Sequence, residues 1–195
     1  AKEISKAGSN AVVLTGIQDE KAQGLVIAIN EFIKSKAFDP KTIILTRQGN
    51  DKAVSALVKD MNAGRVGALI MAGVNPVYTL PNASAFVEGL KKTAVSVAFT
   101  MKNDETAAET QYVGAAPHYL ESWGDLETKS GFYALMQPTI RPLFDTQQFQ
   151  EALLVLNGST VSYHDYIKSF WTETVLKEGV WNQALHDGVY TGTPL

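Results

Sequence analysis

Between residues 11 and 115 the apolar positions follow two alternating rhythms. Short runs stand at Ala11-Val12-Val13-Leu14, Thr42-Ile43-Ile44-Leu45, Ala68-Leu69-Ile70-Met71 and Ala94-Val95-Ser96-Val97-Ala98-Phe99. Between them, apolar residues recur every three or four positions. From Asp19 to Lys36 the stripe is Ala22, Leu25, Val26, Ile29 and Ile33, continued by Ala37; from Asp51 to Met61 it is Val54, Leu57, Val58 and Met61; from Ser84 it is Phe86, Val87 and Leu90. Unbroken runs predict strands buried on both faces, as in parallel sheets, and the striped stretches predict helices. Their alternation with short connections predicts right-handed βαβ units. Tyr112-Val113 predicts one more short strand.

After Pro117 the texture changes. Residues 118–142 carry Gly124, Gly131, Pro138 and Pro142 at intervals that predict a long ordered loop. Asp145 has the character of an N-cap for a helix over Phe149, Ala152, Leu153 and Leu156, stopped at Asn157-Gly158. Tyr163 to Leu176 predicts a further helix with a broad aromatic face (Tyr163, Tyr166, Phe170 and Trp171 on it), and Gly179 to His186 a short last one. The expected fold is α/β: a doubly wound, mainly parallel sheet of the Rossmann or flavodoxin-like three-layer kind, with C-terminal helices. The expected division is an α/β domain over residues 1–158 and a helical extension with a linker over 159–195. The start without Met and the ending Gly188-Val189-Tyr190-Thr191-Gly192-Thr193-Pro194-Leu195 lead us to expect a piece of a longer chain.

Composition narrows the function classes. A length of 195 residues suits one domain, and 45% hydrophobic with 19% charged residues is ordinary for a globular protein. A net charge of −3 gives no basic footprint for nucleic acid or for an anionic membrane surface. With no cysteine, disulfides, thiolate nucleophiles and cysteine-held metal clusters are excluded within these residues. No apolar run approaches the ~20 residues of a spanning helix.

In a doubly wound sheet, ligands bind outside the carboxyl ends of the strands. The first such loop, Thr15-Gly16-Ile17-Gln18-Asp19, has one glycine where a dinucleotide fingerprint needs three. The third, Ala72-Gly73-Val74-Asn75-Pro76-Val77-Tyr78, is a tight turn with backbone N–H groups and one amide side chain that could hold a phosphate or a base. The plainer alternative is a turn whose Asn caps its own backbone. In the fourth loop, Asp104-Glu105-Thr106 are adjacent carboxylates that share no helix face, so they suit a helix's first turn better than acid–base work. His118, His164 and His186 lack metal-site spacing, and no serine sits in a G-x-S-x-G elbow. The residues therefore predict neither a catalytic group nor a metal ligand. The aromatic stripe from Tyr163 to Trp171 is packing surface, or an interface through which an isolated domain self-associates.

The ordered set Gly73-Val74-Asn75-Pro76, Asp104-Glu105-Thr106-Ala107, Glu121-Ser122-Trp123-Gly124 and Gln137-Pro138 resembles the molybdopterin oxidoreductases of the dimethyl sulfoxide reductase type, in their third, α/β domain. More narrowly, Asn62-Ala63-Gly64-Arg65-Val66, Asn75-Pro76-Val77-Tyr78-Thr79 and His118-Tyr119-Leu120-Glu121-Ser122-Trp123-Gly124-Asp125 resemble the large iron–sulfur subunit of bacterial alternative complex III, a quinol-oxidising membrane complex. The resemblance runs over residues 10–190. It implies that this domain helps hold the guanine-dinucleotide arm of a pterin cofactor, through Gly73, Asn75, Pro76, Thr100, Glu105 and Thr106. It implies molybdopterin guanine dinucleotide and iron–sulfur clusters in the parent polypeptide, with none held by this chain alone. It implies as partners the parent's other domains and other subunits of a membrane complex, on the periplasmic side of the cytoplasmic membrane and without membrane insertion.

The chain also departs from the family's pattern. Members that hold the cofactor place an Asp five residues before the Glu-Thr pair, where Thr100 stands here. Their Ala-Asp-Val-Val-Leu-Pro is replaced by Thr110-Gln111-Tyr112-Val113-Gly114-Ala115. A neutral hydroxyl cannot reproduce the charge-assisted bonds of a carboxylate to a guanine edge. Three readings stay open: a scaffold for electron transfer with a degenerate cofactor site, the cofactor-binding domain of an active molybdenum enzyme, and an independent small-ligand module.

Overall fold

The computed structural model describes residues 1–46, 49–177 and 179–195, and these divide into the units Ala1–Leu45 and Thr46–Leu195. In the first unit, α1 (Lys2–Ala7) leads through a 3-10 turn at Gly8–Asn10 to an extended stretch and then α2 (Glu20–Phe32). Asp19 starts α2 by accepting the Ala22 N–H at 2.9 Å. The runs Ala11–Leu14 and Thr42–Leu45, expected as strands, belong to neither of the two sheets among the described residues. Asn30, 3% exposed on α2, explains the first case. Its side chain accepts the Val13 N–H and donates to the Val13 carbonyl, both at 2.8 Å. One amide thus does for Val13 what a neighbouring strand would have done. In the two runs Val12, Leu14, Ile43 and Ile44 are exposed, Leu14 at 83% and Ile44 at 71%, while Val13 and Leu45 are half-buried.

The second unit contains the sheet the sequence predicts. Its first half runs α3 (Asp51–Asn62), β1 (Ala68–Ala72), α4 (Pro76–Thr79), α5 (Ala83–Lys92), β2 (Val95–Thr100) and β3 (Tyr112–Ala115). The strands are parallel in the order β1-β2-β3, with Ala68 beside Val95 and Val97 beside Tyr112. Asn50 and Asn82 cap α3 and α5 by accepting N–H groups three residues on. The two helices bury Met61, Phe86 and Leu90 against Met71 and Ala98 of the sheet. Gly89 permits that approach, since a Cβ there would lie 2.7 Å from Met61 Cβ.

The second half corrects several expectations. The long loop expected over 118–142 contains a hairpin, β4 (Gly124–Lys129) and β5 (Phe132–Met136). Ser130-Gly131 makes its turn, with Gly131 at φ +76°, a backbone that suits glycine. The supposed terminal linker supplies β6 (Val189–Thr191), which pairs antiparallel with β5. The helix α6 (Phe149–Leu156) is preceded by Gln148 at its N-cap, three residues later than the Asp145 cap predicted. Gln148 instead ties both backbone groups of Trp123, accepting its N–H at 3.0 Å and donating to its carbonyl at 2.8 Å. The helix expected from Tyr163 to Leu176 is α7 (Tyr163–Phe170) continued by a π-helical turn over Trp171–Val175. α8 (Trp181–Asp187) closes at Gly188, which is left-handed.

Most of the aromatic stripe turns inward, Tyr166 alone remaining 50% exposed. Tyr163, Ile167, Trp171, Val175 and Leu176 join Tyr133, Leu135, Trp181 and Ala184 in one buried cluster, with Trp171 0% exposed and its indole N–H donated to Asp125 at 2.8 Å. An association face through Trp171 is therefore ruled out, and a polar residue there would probe folding instead.

Candidate functional site

The turn after β1 begins at Gly73, whose φ of +63° places it in the left-handed region, and its N–H is donated to the Phe99 carbonyl on β2. A Cβ at Gly73 would meet nothing within 4 Å, so the backbone conformation, not space, asks for glycine here. Asn75 then caps α4, with Pro76 in the first turn where a missing N–H costs nothing. The Asn75 side chain does more than cap. Its Oδ1 accepts the Tyr78 N–H at 3.4 Å and the Thr106 hydroxyl at 2.7 Å, and its Nδ2 donates to Glu105 Oε2 at 2.6 Å. Thr106, 0% exposed, in turn accepts the Val77 N–H at 3.0 Å. The loops after β1 and β2 are thereby clamped to one another. The bond from Asn75 is the main cause holding the Glu105 carboxyl below its ordinary range.

Thr100 ends β2. Its hydroxyl lies 3.1 Å from both the Lys102 carbonyl and Asp104 Oδ2, either of which accepts its proton. The other Asp104 oxygen accepts the N–H groups of Thr106 and Ala107 at 3.1 and 2.9 Å. Asp104 thus holds the bend that leads into the 3-10 turn at Ala107–Glu109; it stands before that turn, whose own first-turn carboxylate is Glu109. Gln111 is also engaged, exchanging bonds with the Ser96 N–H and hydroxyl on the neighbouring strand.

A crevice of ≈ 710 Å³ opens over these strand ends, with Gly73, Asn75 and Thr100 on its wall and Lys102, His118 and Trp123 opposite or beside them. Of the residues singled out from the sequence, Gly73, Asn75 and Thr100 line this crevice, whereas Pro76, Glu105 and Thr106 lie in the two clamped loops without lining it. Lys102 and His118 were missed. The signal that could have found them is their place just past the ends of β2 and β3, where this sheet class receives ligands. His118 Nδ1 accepts the Leu120 N–H at 3.3 Å, and Glu121 accepts the His118 N–H at 3.0 Å, so both serve first as a cap for the turn at Tyr119–Glu121. His164 is off the lining, beside Asp165 and with its ring 4.5 Å from that of Trp123, and His186 stands beside Asp187. Among the described residues, no group of three or more His, Cys, Asp or Glu is placed to hold a metal ion, and no helix is long and apolar enough to cross a membrane.

No family model matches the chain. Over 112 residues, 52% of the chain, it is 37% identical to the menaquinone reductase, molybdopterin-binding-like subunit, of Nitratidesulfovibrio vulgaris strain Hildenborough. That bears out the resemblance carried by the Gly73, Glu105, Glu121 and Gln137 motifs. Among solved structures, acetylene hydratase from Pelobacter acetylenicus superposes with a TM-score of 0.56 over 72% of the chain at 17% identity, a likeness that supports the α/β fold with its parallel sheet. The chain spans a small part of both proteins: the match covers 16% of the curated relative and 21% of the solved chain.

Proposed function

We propose that the chain is one domain of a molybdopterin oxidoreductase-like subunit in a quinol-oxidising membrane complex of the alternative complex III kind. There it holds shape for neighbouring iron–sulfur modules and docks other subunits, on the periplasmic side of the membrane, and hosts no reaction. The observation that carries this reading is the internal use of the crevice's polar groups. Asn75 is spent on Tyr78, Glu105 and Thr106, and the Asp104 carboxylate on Thr100, Thr106 and Ala107. The resemblance puts a carboxylate against the guanine edge, which makes the stronger charge-assisted bonds, and the strand-end position here offers the neutral Thr100 hydroxyl, whose proton goes to Asp104 or Lys102. A pterin guanine dinucleotide therefore fits these residues poorly.

The competing reading is the cofactor-binding domain of an active molybdenum enzyme. The crevice itself favours it, since ≈ 710 Å³ at the strand ends with Lys102 and His118 on its lining could admit an anionic ligand. One experiment separates the two. The native full-length protein is analysed for molybdenum and tungsten by mass spectrometry, and for guanine nucleotide released on denaturation. The scaffold reading expects neither above background; a stoichiometric metal with its nucleotide overturns it.

A further inference from the structure

Residues 138–147 are held firmly in place and yet present apolar side chains to water. Thr139 and Ile140 donate their N–H groups to the Leu120 carbonyl at 2.7 and 3.0 Å, Leu143 donates to Glu121 Oε1 at 3.2 Å, and Gln147 donates to the Ala115 carbonyl at 3.0 Å. Pro138 and Pro142 fix two more backbone angles. Between these anchors Leu143 is 70% and Phe144 is 78% exposed. Keeping such a pair over water contributes nothing to the fold. It becomes favourable once covered, and a loop already fixed in shape loses little conformational entropy in being covered.

Charge frames the pair. Arg141 and Asp145 flank it, both exposed, and neither takes part in an ion pair among the described residues. Beside the loop lies a concavity of ≈ 410 Å³, with Pro117, Ile140, Arg141 and Glu151 on its lining. The helix that follows in the chain has the same character. α6 buries Ala152 alone and leaves Leu153, Val155 and Leu156 at 41%, 59% and 71% exposed. A helix that is apolar nearly all round is expected to be covered on more than one side.

We propose that the Leu143–Phe144 loop is a docking element that seats in an apolar socket on another domain of the same, longer polypeptide. The socket carries a carboxylate opposite Arg141 and a basic group opposite Asp145. This rests on reading the chain as one part of a larger subunit. The matched stretch is 16% of the curated relative's length, which leaves room for such a domain in a subunit of that kind.

The test compares the single full-length subunit, purified without partner subunits, with the 195-residue chain by amide hydrogen exchange. Exchange at Phe144 and Asp145 is expected to slow by roughly tenfold or more in the full-length subunit. The L143S/F144S double variant is expected to lower the full-length Tm by several degrees, roughly, and to leave the 195-residue chain within about one degree. Equal exchange in the two proteins, or an unchanged full-length Tm, overturns the proposal. So does protection that needs added subunits or self-association of the 195-residue chain, and so does a destabilised 195-residue variant. A reading frame no longer than this chain overturns the larger-subunit reading and the proposal with it. Molybdenum in the full-length subunit would overturn the scaffold reading and leave this one standing.

Discussion

The units Ala1–Leu45 and Thr46–Leu195 share a rhythm of apolar runs and striped helices, yet they bury very different things. In the second, Met61, Phe86 and Leu90 close over the parallel sheet, and Trp171, Ile167 and Leu176 close over the hairpin. In the first, the residues with under a tenth of their surface exposed are polar, Asn30 and Ser35. Of the α2 stripe read from the sequence, Ala22, Val26, Ile29 and Ile33 are only half-buried and Leu25 is 62% exposed, so none of it reaches a closed core. The contrast shows that periodicity specifies which face a helix can bury and leaves open whether anything buries it. Stability follows the covered faces, because free energy comes from area removed from water.

The largest expected effect lies in the second unit. Trp171→Ala removes a side chain with 0% exposure and leaves a cavity beside Tyr133 and Trp181, for a loss of about 3–5 kcal/mol read from urea unfolding. A loss below about 1 kcal/mol would mean that the aromatic cluster is not the core of this unit. The same cluster predicts an alkaline response. Burial, with Asp125 nearby, pushes the Tyr163 hydroxyl up to about 12 from its ordinary 10. The folded state thus favours the neutral phenol. The stabilisation is complete below about pH 10 and fades as pH rises through about 12. Unfolding measured across that window should depend less steeply on pH in Tyr163→Phe than in the parent chain.

Two glycines sharpen the comparison. Gly89→Ala would force its Cβ to 2.7 Å from Met61 Cβ and should destabilise by about 1–3 kcal/mol. Gly24→Ala, within α2, meets nothing within 4 Å and should stabilise its helix by about 0.5–1 kcal/mol. Thermal unfolding of the two variants should therefore shift in opposite directions. The smallest effect is expected at Leu14→Ser, within about 0.5 kcal/mol of the parent because Leu14 is 83% exposed. A loss of several kcal/mol there would place Leu14 in a core in solution and erase the contrast.

Much of the second unit was legible in advance. The runs at 68–71 and 94–99 became β1 and β2, and the stripes at 51–61 and 84–90 became α3 and α5. The hairpin was missed because Gly124, Gly131 and Pro138 were read as loop punctuation, while Phe132-Tyr133-Ala134-Leu135 after Ser130-Gly131 carried the strand signal. The aromatic stripe was correctly seen as apolar, but whether it faced water or a core could not be read from spacing. At the site, Gly73, Asn75 and Thr100 were named from the sequence and Lys102 was not, and the mutual engagement of the loops was not visible there. Asn75 and Glu105 are thirty positions apart, and nothing local says that one will donate to the other.

By itself the sequence determined the α/β class, the helices whose stripes and Asn or Asp caps are local, and the turn at Gly73 whose conformation suits glycine. Those features depend on neighbours a few residues away, which is the range over which backbone sterics and capping act. Only the tertiary structure decided that Ala11–Leu14 satisfies Val13 through Asn30, that the last strand closes the hairpin sheet, and that Asn75, Thr106 and Glu105 clamp two loops. Each of these joins groups distant in the chain, and such pairings are selected by which partners the fold brings within hydrogen-bond reach.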